Sequence, residues 1–242
     1  MKIKESLTEI LKDGLRIYKE NFLMVVMPFL IAFIITFFLD HQLTIIHFLV
    51  YSFFIPGAIG MVKEAYLGRE PSPEIMLNYG RKFFLRWIGI FLVSIIIFLI
   101  VCIIYILAVF ILSFTPILGL NFMILGTLSF IPILVLMSMI LCMAPYSLVI
   151  SDLGIFEALK RSYLIFKENK PDLFLLIVIS SILLEILPFL LIIGANSIHL
   201  EITKNITMKF VTQFLNALIF FPLITTWVSR FYLSTLSLDK RC

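Results

Sequence analysis

Apolar residues fall into long blocks, uncharged but for Glu185, parted by short charged ones. Residues 22–39 carry no charge over eighteen positions, about enough at 1.5 Å per residue to cross a hydrocarbon core of about 30 Å. A second block covers 43–62. Between 87 and 151 there are sixty-five positions without a charged side chain, too many for one span and enough for two. Pro116 and Gly119 place the turn, giving spans at 87–114 and 121–150 that tilt or kink at Pro132 or Pro145. A fifth block runs over 173–196 and a sixth over 210–228. The pattern predicts an all-α polytopic membrane protein with six transmembrane helices.

Charge gives the blocks a direction. Seventeen Lys and Arg fall before the first block, in the 63–86 and 152–171 connections and at the C-terminal end, whereas only Lys204 and Lys209 fall on the other side. The positive-inside rule then puts both termini in the cytoplasm of a cell-membrane protein. Outer loops are expected at 40–42, 115–120 and 197–209. Charged and polar residues including Glu5, Glu9, Asp13 and Glu20 precede the first block, and no small-x-small site follows it, so that block is expected to stay as an anchor.

The connections repeat. Residues 157–169, EALKRSYLIFKEN, match 9–21, EILKDGLRIYKEN, at seven of thirteen positions, with Tyr18 standing where Phe166 stands. A looser copy occupies 72–87, where Ser72 and Pro73 make a good helix start. We therefore expect one membrane domain over 1–242 made of three parallel repeats, 1–66, 72–150 and 152–242. Each would be an interfacial helix followed by a helical hairpin.

On a helix, Leu7, Leu11, Leu15 and Tyr18 form an apolar stripe, as do Ile155, Leu159, Tyr163 and Phe166. Ser6 and Glu9 make a capping box. The stripe would face the bilayer, with the cations toward its headgroups. Lys12, Arg16, Lys19, Arg81, Lys82, Arg86, Lys160, Arg161 and Lys167 are the candidate contacts. They could bind anionic lipid, at about 1 kcal/mol per cation, or dock a soluble partner, or only orient the span that follows.

The stretch 145–176 carries Asp152, Gly154, Glu157, Ala158, Leu159, Lys160, Arg161, Ser162, Tyr163 and Asn169 in an acidic-Gly turn, EAL-[KR]-RS-aromatic pattern. It resembles the hallmark of the multi-pass membrane domain fused to some bacterial glycerophosphodiester phosphodiesterases and of its stand-alone relatives. The resemblance is specific over about thirty residues and implies a six-span layout. It brings no catalytic barrel, because no polar stretch here exceeds about twenty-five residues, and so no enzymatic activity is expected from it.

Composition narrows the chemistry further. Hydrophobic residues make up 62% and charged residues 14%, with a mean hydropathy of +1.13. No zinc-protease, serine-hydrolase or nucleotide-binding motif is present, so neither catalytic residues nor a cofactor are expected. The cations are strung along membrane edges, unlike a nucleic-acid-binding face. Cys102, Cys142 and Cys242 form no CxxC and read as small hydrophobes. His41, His47 and His199 share the outer side but fit loose interfacial polar residues better than a metal site.

One acid lies within a predicted span. Glu185 at that depth costs about 2.5 to 3.5 kcal/mol on insertion scales, so it should face the bundle, with Asn216 or Gln213 of the sixth span as its partner. The expected function is a non-enzymatic membrane scaffold or lipid-associated factor. A small secondary transporter or permease component using Glu185 is the alternative.

Overall fold

The computed structural model describes residues 3, 5–38, 44–113, 121–186 and 212–236, with backbone alone at 38, 44, 111–113, 121–129 and 185–186. The three outer loops expected from the sequence, His41, His199, Cys242, Lys204 and Lys209 lie outside the described residues, as does residue 187 onward of the fifth block up to 211. Every described element is a helix. Four are long and apolar enough to cross a bilayer: Ile45–Tyr66, Pro73–Phe110, Phe130–Ile150 and Thr212–Leu236. A bent pair, α1 (Leu7–Glu20) and α2 (Phe22–Phe38), meets at 81° and supplies a fifth candidate.

Local chemistry sets these ends. Ser6 Oγ accepts the Glu9 N–H at 3.3 Å and Glu9 returns the bond to the Ser6 N–H at 2.9 Å, which starts α1. Asn21 stops it, its backbone N–H and its side-chain Nδ2 both donating to the Ile17 carbonyl at 3.0 and 3.1 Å. The Asn21 carbonyl then accepts from Val25 and opens α2. Helix α7 (Ile155–Glu168) is the same length and ends the same way, with Asn169 donating twice to Ile165 at 3.0 Å. Its start keeps half of the box, Glu157 accepting from the Gly154 N–H at 3.2 Å, because glycine has no hydroxyl. Helix α8 (Lys170–Ser181) follows directly and leads into a π-helical turn, Ile182–Ile186.

The middle copy corrects one expectation. Ser72 does cap a helix, accepting from the Ile75 N–H at 3.3 Å, but α4 (Pro73–Ser113) continues for 41 residues with no separate interfacial helix. Counted from the N-caps Ser6, Ser72 and Gly154, the stop residue falls at Asn21, Trp87 and Asn169. Trp87 cannot cap, so the helix runs on into the apolar block.

Helix α3 (Thr44–Tyr66) returns from α2 and packs along α4. The fourth block breaks at Cys142 and Met143, between α5 (Asn121–Leu141) and α6 (Ala144–Ile150), with Pro145 in the first turn of α6, where its missing N–H costs nothing. The last rod carries a π-helical turn, Asn216–Phe220, and then α9 (Phe221–Leu236) with Pro222 near its start. Helices α3, α6 and α9 pack on one another, and α1, the start of α4 and α7 lie against them. The main core gathers Ile10, Ile59, Phe83, Leu148, Ile165 and Phe231 at the cation-bearing end. Away from it, the apolar part of α4 is only 6% buried, as a lipid-facing helix would be.

Candidate functional site

The interfacial segments are anchored along a buried ridge whose middle residue is small, beside an apolar stripe that itself packs in part into the core. Four, eight and eleven residues after each N-cap stand Ile10, Gly14 and Ile17; Met76, Gly80 and Phe83; and Ala158, Ser162 and Ile165, and all nine are buried. The middle residue touches another helix every time. A Cβ on Gly14 would sit 2.6 Å from the Trp227 ring of α9, and one on Gly80 would sit 3.0 Å from the Phe53 carbonyl of α3. Ser162 Oγ donates to the Ile140 carbonyl of α5 at 2.5 Å. The expected stripe coincides with the buried face only in part: Leu7, Tyr18 and Phe166 are buried, Leu11, Leu15 and Leu159 flank the ridge, and Tyr163 is 49% exposed. Close backbone approach selects small residues, and these carry little hydrophobic signal.

The nine candidate cations divide. Arg16 pairs with Asp13 at 3.3 Å. Lys82 and Arg86, expected at headgroups, both grip Asp152, at 2.6 and 2.9 Å, and so tie α4 to the turn before α7. The hydrogen bond from Lys82, helped by its charge and by Arg86, holds the Asp152 carboxyl below its usual range against the opposing desolvation. Arg161 is half-buried over the Tyr232 ring, 5.9 Å from its centroid. Lys12, Lys19, Arg81, Lys160 and Lys167 are exposed and make no ion pair among the described residues.

Two buried charges escaped the sequence reading because both lie at helix ends beyond the predicted blocks. Glu64 accepts from Arg69 and from the Tyr79 hydroxyl, each at 2.8 Å. Arg230, its side chain 5% exposed, donates to Glu5 at 2.6 Å and Asp13 at 3.0 Å and lies over the Tyr66 ring. Its two partners sit in the polar segment that precedes the first apolar block.

In the apolar region, the π-helical turn bearing Glu185 packs on the one bearing Asn216. The Glu185 side chain lies outside the described residues. Asn216 Oδ1 is buried without a hydrogen-bond partner among the described residues, and Gln213 is exposed one turn outward. Both border a half-open cavity of about 410 Å³ with Phe29, Tyr51, Ile55 and Phe221. Among the described residues no cluster of three metal-ligating side chains occurs.

Comparison with protein-family models, characterised proteins and solved structures finds no match.

Proposed function

We propose that the chain is a six-span integral protein of the cell membrane with cytoplasmic termini, acting without catalysis as a scaffold or lipid-associated factor. Its three units, 1–66, 72–150 and 152–242, form a ring in which each interfacial segment docks on the returning helices of the unit before it. The observation that carries the ring is the shared docking position: Gly14 on α9, Gly80 on α3, Ser162 on α5. The first unit sits on the last and closes it. On this reading the chain is a stand-alone relative of the membrane domain joined to glycerophosphodiester phosphodiesterases.

Lipid association is supported by Lys12, Lys19, Arg81, Lys160 and Lys167, exposed beside apolar side chains such as Leu23, which is 78% exposed. Their partners would be anionic headgroups. A cysteine placed at Lys204 should react only from outside in sealed cells, and reaction only from the cytoplasm would overturn the topology. In nanodiscs, the chain should enrich phosphatidylglycerol over phosphatidylcholine in its lipid shell. Replacing the five cations by Glu should remove that enrichment; unchanged enrichment would refute the lipid role.

The packed π-helical turns favour a second reading, a small secondary transporter using Glu185, Asn216 and Gln213. Glu185→Gln keeps a donor and an acceptor, so it should spare folding and remove the pH dependence of any uptake. Uptake with wild-type pH dependence in that variant would exclude the transporter role.

A further inference from the structure

We propose that the cavity bordered by Phe29, Tyr51, Ile55, Gln213, Asn216 and Phe221 binds the head of an uncharged lipid bearing a free hydroxyl. The proposal rests on the membrane-spanning, lipid-associated reading and names the lipid class and its site.

Three observations converge on it. The first is place. Asn216 stands eleven residues before Trp227, about 16 Å along a helix, and Trp marks the interface of a spanning helix. The cavity therefore sits well inside the bilayer and is half open.

The second is chemistry. Among the described residues, the six that line it carry two carboxamides, a phenol, two Phe rings and an Ile, and no charge. An ionic headgroup entering there would lose its hydration without a countercharge from these six residues, whereas a hydroxyl loses far less and regains it through one hydrogen bond. The third is an unmet demand. Asn216 Oδ1 is buried with no partner among the described residues, so its desolvation is not offset by a hydrogen bond. A hydroxyl both donates and accepts, so it serves the carboxamide whichever way its oxygen and nitrogen are turned. Phe29 and Phe221 stack with centroids 6.2 Å apart and offer an apolar wall to the first carbons of the chain. At about 410 Å³ the cavity is at the small end for ligand sites; it suits a head and a few carbons, with the tail leaving through the open side.

The π-helical turn at Asn216–Phe220 is what sets the carboxamide here. Its wider turn ends where Phe221 N–H bonds the Asn216 carbonyl, one residue farther back than an α-helix would allow.

The test is photolabelling of the full chain in nanodiscs with three diazirine probes of one chain length: a C16 alcohol, its methyl ether and the matching fatty acid at neutral pH. The alcohol should label peptides of α2, α3 and 212–236 about fivefold more than either of the others, the weight of one net hydrogen bond. Asn216→Leu should cut that labelling about fivefold, and Ile55→Trp, which fills the cavity from another helix, should do the same if the first variant folds poorly. Equal labelling by ether or acid, labelling confined to other peptides, or labelling that survives both variants would overturn the proposal. Excess glycerol should not compete; if it competes and untagged hexadecanol does not, the site belongs to a soluble polyol and the lipid assignment fails. Release of the chain from membranes by alkaline carbonate would instead defeat the spanning reading itself.

Discussion

The Tyr18 hydroxyl donates to the Leu218 carbonyl at 3.3 Å, across 200 positions of sequence. Leu218 stands four residues before Pro222, the position whose α-helical donor a proline removes. In an apolar setting that carbonyl needs a replacement donor, and the interfacial helix of the first unit supplies it. Phe166 holds the corresponding place in α7 and has no hydroxyl to give.

Tyr18→Phe should therefore destabilise the fold by about 1–3 kcal/mol, the cost of a buried carbonyl left unmet. Pro222→Ala restores an N–H in the helix, so its effect should depend on whether Tyr18 is present. Thermal unfolding of both single variants and the pair gives the coupling. Strict additivity would mean that Tyr18 does not compensate for the proline.

Gly14 makes a second prediction at the same seam. Trp227 Nε1 donates to the Leu11 carbonyl at 3.0 Å, laying its ring across the helix where Gly14 leaves room. Gly14→Ala should overpack this contact and cost about 1–3 kcal/mol, with a shift in the fluorescence of Trp227. Lys12→Ala, at an exposed position of the same helix, is the control. Equal effects of the two substitutions would show that α1 is not closely docked.

These seams explain what could be read from the sequence and what could not. Asn21 and Asn169 close the two matching segments, and each ends its helix by a local event, written in one side chain and the carbonyl four residues back. The same logic explains why Trp87 lets α4 run through, a difference visible only when three N-caps are set in register. The docking ridge was illegible. A search for apolar periodicity follows Leu11 and Leu15, while the contact is made by Gly14, which contributes nothing to that signal. Likewise, Lys82 and Asp152 are 70 positions apart, and no local pattern pairs them.

Asp152 carries the pH dependence. Its folded-state affinity for a proton is lowered by Lys82 and Arg86, so its contribution is present above the unfolded-state value of about 3.9 and is lost as pH falls below it. The group is 46% exposed, which limits the pair to about 0.2–1 kcal/mol, less at high salt. Asp152→Asn should remove part of the stability loss between about pH 5 and 3. It also suits the backbone, since residue 152 has a φ of 52°, where Asn is tolerated. An acid-unfolding profile identical to wild type would show that this ion pair contributes nothing.

Arg230 tests how the N-terminal segment is held. Its side chain is 5% exposed, whereas Glu5 and Asp13 are 41% and 36% exposed. Removing the cation and removing the anions should therefore not be equivalent. In Arg230→Met the two carboxylates rehydrate where they stand, and methionine keeps apolar contact with the Tyr66 ring. In Glu5→Gln with Asp13→Asn, a buried guanidinium loses both charged partners, with its Nε and Nη1 already lacking hydrogen bonds among the described residues. The double variant should be the worse by a clear margin, approaching the 3–5 kcal/mol typical of an uncompensated buried charge. Protease cleavage within the first twenty residues reports the consequence directly: it should rise more in the double variant than in Arg230→Met. The reverse order would mean that Arg230 acts through its cation–π contact, with Glu5 and Asp13 incidental to it.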